Sequence, residues 1–180
     1  MYDSEEETPV WLVDCPGFED TDGAEIDISN GLSISSAVKR TRSVRVVVAV
    51  SEKGLGDRLQ GVESLIKILM RFADLSTAQV LESFTFIFTK FKKSDGARIS
   101  SLFQQKLNNL SSEEANSDIF CDILSTMVEK ASNSVLINDP LHDDPKDLIN
   151  TILQTPSIDS PEIIFKDFVT QKSLERLKVG

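Results

Sequence analysis

A chain of 180 residues, 40% hydrophobic and 27% charged, is long enough for one domain with a sizeable core. Its formal charge of −10 argues against DNA, RNA or an anionic membrane surface as the main partner. Two cysteines and one histidine argue against a disulfide framework, a Ser-His-Asp hydrolase and a multi-histidine zinc site, and no apolar run approaches the roughly 20 residues of a membrane span.

Residues 1–8 read as an acidic tail, with Glu5, Glu6 and Glu7 and no signal peptide after Met1, so a reducing, cytoplasmic setting is expected. Residues 10–13 are apolar and read as a first strand. Ile28, Leu32, Ile34, Ala37 and Val38 form a helical stripe over 28–39, interrupted by Gly31. Residues 44–50 are almost continuously β-branched, the pattern of a strand buried on both faces. After a Gly-containing loop, Leu59, Val62, Leu65, Ile66, Leu69 and Met70 recur at spacings of three and four, the clearest amphipathic helix in the chain.

Residues 83–88 read as another apolar strand, 99–107 and 119–131 as helices, and 135–137 as a short strand. Asp144-Pro145 looks like a helix start, with Leu148, Ile149, Ile152 and Leu153 on one face and Pro156 beyond its end. Residues 161–177 read as mostly helical. Strands alternating with helices predict a three-layer α/β/α domain with a mostly parallel sheet over residues 9–155, followed by a C-terminal helical extension over 156–180.

The first strand ends in Asp14-Cys15-Pro16-Gly17-Phe18. A carboxylate at a strand tip can hold Mg²⁺ through water, and the glycine of an Asp-x-x-Gly loop can turn its N–H toward a terminal phosphate. The strand at 83–88 ends in Thr89-Lys90, and the short one at 135–137 in Asn138-Asp139-Pro140. All three motifs stand at carboxyl ends of predicted strands, where open α/β sheets bind ligands. In this order they resemble the motifs of P-loop GTPases, especially the septin-like, immune-associated and other large GTPases. The resemblance implies an incomplete P-loop GTPase-like domain that takes GTP or GDP with Mg²⁺. It implies that Asp14 orders the Mg²⁺ shell, Gly17 senses the γ-phosphate and residues 18–27 act as a switch. It also implies that Lys90 lays its stem along the guanine, that Thr89 ties loops together and that Asn138 lies in the base-contacting loop. It further implies self-association through this domain.

The chain departs from that pattern at three points. No Gly-x-x-x-x-Gly-Lys-Ser/Thr loop occurs, so GTP hydrolysis is expected only if that loop lies upstream in a longer protein, and the chain alone is expected to hold nucleotide weakly. Phe18 follows the glycine where many GTPases carry a Gln that orients water. Lys92 stands where an Asp would accept from guanine, and an ammonium has no lone pair. These departures keep a second reading open: a pseudo-GTPase or interaction module without nucleotide. A third, an α/β enzyme using carboxylates such as Asp14 and Asp139, has less behind it. Gly54, Gly56 and Gly61 do not keep dinucleotide-loop spacing, the acidic group around His142 reads as a solvated loop, and Cys15 as a small filler residue.

Overall fold

The computed structural model describes residues 10–16, 23–56, 59–76, 78–133, 136–139, 141–170 and 173–176. Strand β2, Phe84–Thr89, is apolar at nearly every position because both of its faces are covered. Strand β1, Val46–Ser51, pairs with it in parallel on one side, and β3, Ile137–Asn138, in parallel on the other. Parallel neighbours need crossovers, and helices supply them. Between β1 and β2 run α2 (Gln60–Phe72) and α3 (Ala78–Glu82); between β2 and β3 run α4 (Gly96–Asn108), α5 (Ser112–Ala115) and α6 (Asp118–Asn133). Helix α1, Ala24–Lys39, precedes the sheet, while α7 (Pro145–Gln154) and α8 (Pro161–Ile164) follow it. The protein is thus a mixed α/β fold around a small parallel sheet.

The strand period of two sorts the sheet into unequal faces. Val46, Val48 and Val50 stand in register with Phe84, Phe86 and Phe88. This face joins one core cluster with Val62, Ile66 and Leu69 of α2, Ile99 and Phe103 of α4, and Ile123, Leu124 and Met127 of α6. Phe88 and Phe103 meet with ring centroids 5.7 Å apart. The opposite face carries Val47 and Ala49 beside Thr85 and Ile87, and Ala49 is exposed.

Three expectations need correction. Residues 10–13 are not a strand: Val10, Trp11, Leu12 and Val13 stand 66%, 83%, 85% and 66% exposed. A strand exists only beside a neighbour, and no described strand pairs with the outer edge of β1 or with this segment. For the same reason β1 is an edge strand with one open face, and β2 alone has the doubly buried character expected of residues 44–50. The C-terminal segment is helical only over Pro161–Ile164 and again at 173–176 among the described residues. Its Ile158 and Phe165 make antiparallel bridges to Val44 and Ala73, and Phe165 and Phe168 pack on Phe72 at 5.0 and 6.0 Å. The segment completes the core instead of extending from it.

Candidate functional site

The site is the carboxyl edge of the sheet. The register sets the last residues of the three strands side by side: Ser51 beside Thr89, and Thr89 beside Asn138. Two of the three sequence motifs therefore meet. Thr89-Lys90 and Asn138-Asp139 leave adjacent strands at the same level. Lys90 turns the chain out of β2 with φ +65°, a left-handed conformation that a side chain with a Cβ rarely adopts. Its ammonium is exposed and makes no hydrogen bond or ion pair among the described residues. Left-handed backbone at a residue with a Cβ is a strained position, and buried Leu59, before α2, is a second one at φ +63°.

The loops around this edge are tied together by ion pairs. Lys93, after β2, pairs with Asp143, after β3, at 2.6 Å. Glu52, after β1, reaches Arg98 of α4 at 3.4 Å. The Asp95 carboxylate accepts from the Lys92 N–H at 3.0 Å and closes the short 3₁₀ turn Lys93–Asp95, so it is occupied as a cap. Lys92 itself is exposed. Sequence reasoning missed Ser51, Glu52 and Arg98 here, since only the register brings the end of β1 to this edge.

The acidic group after β3 is built as a turn. Asp139 accepts from the Leu141 N–H at 3.0 Å and contacts His142 Nδ1 at 2.7 Å, while Asp143 accepts from the Asp139 N–H at 2.8 Å. These contacts hold both carboxyls below their usual range, Asp139 through His142 first and Asp143 through the Asp139 N–H first. Asp144 caps α7 by accepting from the Lys146 N–H at 2.9 Å. Each of these carboxylates has a structural task in the turn or at the start of α7. Among the described residues no group of three or more His, Cys, Asp or Glu is placed to hold a metal ion.

Asp14 lies in the exposed segment before α1, and no partner holds its side chain among the described residues. A single carboxylate suits Mg²⁺ only where phosphates and water supply the remaining ligands. Gly17 and residues 18–22 of the expected switch lie outside the described residues, while residues 24–27 belong to the first turn of α1. Burial, and then the Asp14 charge, push the Cys15 thiol upward, which makes it a poorer nucleophile.

Beside the edge, a cavity of about 870 Å³ opens between α4 and the end of α6, lined by Lys93, Gly96, Ser100, Gln104, Ser132 and Ile137 among others. The glycines near α2 have packing roles. Gly56 sits at φ +66°, and a Cβ on Gly61 would fall 1.7 Å from the Gly54 carbonyl oxygen. No described helix is long and apolar enough to cross a membrane. No protein-family model, curated protein or solved structure matches the chain.

Proposed function

We propose that this chain is a guanine-nucleotide-binding, GTPase-like domain whose Thr89-Lys90 and Asn138 elements read the base. The observation that supports it is the in-register line of Ser51, Thr89 and Asn138, capped by the free, left-handed Lys90. Parallel sheets present ligand sites at this edge. The aliphatic stem of Lys90 offers a surface on which a purine can lie, and the loops on either side are braced by Lys93–Asp143. Mg²⁺ and phosphate contacts fall to Asp14 and Gly17. With no Gly-x-x-x-x-Gly-Lys-Ser/Thr loop in the sequence, phosphate contacts are few and binding by this chain alone is weak. Phe18 cannot orient a water by a hydrogen bond, so hydrolysis would need another group or a partner's.

The test is a titration of isotope-labelled protein with GMP, GDP and AMP, followed by backbone amide shifts. GMP and GDP are expected to move Thr89, Lys90, Asn138 and Asp139 with similar curves, and Lys90→Ala to abolish the response. Equal response to AMP removes guanine selectivity, as Lys92 in the place of an Asp suggests it can. No response at millimolar nucleotide favours the second reading, an interaction module without nucleotide. The exposed apolar residues 10–13 support that second reading independently.

A further inference from the structure

Among the described residues no strand pairs with the outer edge of β1. Val46 donates its N–H to Ser83 O, and Glu52 donates to Thr89 O. Backbone groups alternate along a strand, so 46, 48, 50 and 52 face β2, while Val47, Ala49 and Ser51 point their N–H and C=O groups outward. No described strand meets them. The run Val46–Ser51 holds no Pro and no charge, the usual devices that block edge pairing. On the open face Ala49 is small and exposed, leaving room for a larger neighbour.

The same chain carries a segment suited to that edge. Val10, Trp11, Leu12 and Val13 are strand-forming residues with their side chains in water. They do not lie on their own edge. Helix α1, which follows them, is anchored elsewhere: Gly31 lies against the Phe168 backbone, and buried Asp27 accepts from Thr170 and Ser173.

We propose that two copies of this chain associate by exchange, residues 10–13 of each adding as a strand to the outer edge of β1 in the other. Donor and acceptor are both present on every copy, so a two-fold arrangement closes and leaves neither unsatisfied. The four side chains present about 500 Å² of mainly apolar surface per copy, more than scattered surface residues account for. Exchange pairs both edges and covers part of that surface on each copy. The inference is independent of nucleotide binding, since neither element contains Thr89, Lys90 or Asn138.

The experiment is sedimentation of the full chain over a concentration series, read beside fluorescence of Trp11, its sole tryptophan. Dimer formation with a matching blue shift of Trp11 is expected. Leu12→Lys spoils the donor at an exposed position and leaves the acceptor intact. Val47→Pro removes an outward N–H and leaves the β2 ladder intact. Each variant alone is expected to be monomeric, and an equimolar mixture to associate again, since one supplies a sound donor and the other a sound edge. A wild-type monomer with water-exposed Trp11 at every concentration overturns the proposal. So does a monomer whose Trp11 is buried regardless of concentration, which would mean the segment joins its own edge. Dimers that persist in both variants place the interface elsewhere and overturn it as well.

Discussion

Glu114 shows how one buried carboxylate keeps its charge. It is almost closed to water, and it accepts from Lys106 Nζ at 2.8 Å and from the Ser111 N–H at 2.8 Å; Lys106 also pairs with Glu63. Burial alone raises the Glu114 pKa, but the Lys106 and Ser111 bonds together outweigh it and bring it down to about 2 from 4.5. Burial likewise pulls Lys106 down, and its two carboxylates more than offset this. A carboxyl depressed on folding stabilises the protein fully above its unfolded pKa. That contribution is lost as pH falls from 4.5 toward 2, on the order of 2–3 kcal/mol. Urea unfolding at stepped acid pH should show this loss. Lys106→Met should cost about 3 kcal/mol at neutral pH, because it strands two carboxylates, and should recover part of it in mild acid as Glu114 takes up a proton. A variant equally destabilised at both pH values would rule the triad out as the source.

At the scale of elements, Gly31 explains an irregularity that the sequence displays without accounting for it. The apolar stripe of α1 is broken there, and glycine is about 1 kcal/mol worse than alanine within a helix. A Cβ at this position would stand 2.5 Å from the Phe168 carbonyl oxygen, a backbone atom that cannot swing aside. Gly31→Ala should therefore lower stability by roughly 2 kcal/mol despite the better helix former; a rise in Tm would contradict the contact. Helices α2, α4 and α6 were legible because a stripe at 3.6-residue period is a local signal, as is the Asp144-Pro145 start of α7. Residues 10–13 were misread because a strand depends on a neighbour that no local pattern records. The C-terminal segment was misread for a related reason: Phe165 and Phe168 have helical spacing but find their burial on Phe72. At the site, the motif residues Thr89, Lys90 and Asn138 were visible in order. The meeting of Ser51 with Thr89, and the structural use of Asp95, Asp139 and Asp143, needed the register and the loop geometry.

For the whole molecule, uneven cover of the sheet predicts uneven protection. β2 is paired on both sides and covered on both faces; β1 is paired on one side only, and no residue of α7 is fully buried. Amides open in proportion to such local support. In dilute protein, hydrogen exchange should be slow along β2 and alternate along β1, with Val46, Val48 and Val50 protected and Val47 and Ala49 fast. The amides of α7 should exchange earlier than those of α2, α4 and α6. Uniform protection along β1 at low concentration would mean that its outer edge is already paired. Raising the concentration then separates the two open regions. If the edge accepts a strand from a second copy, Val47 and Ala49 slow while α7 does not, because the donor needs the edge and not the helix. If association instead buries the half-exposed Ile149 and Leu153 of α7, that helix slows and the alternation in β1 persists.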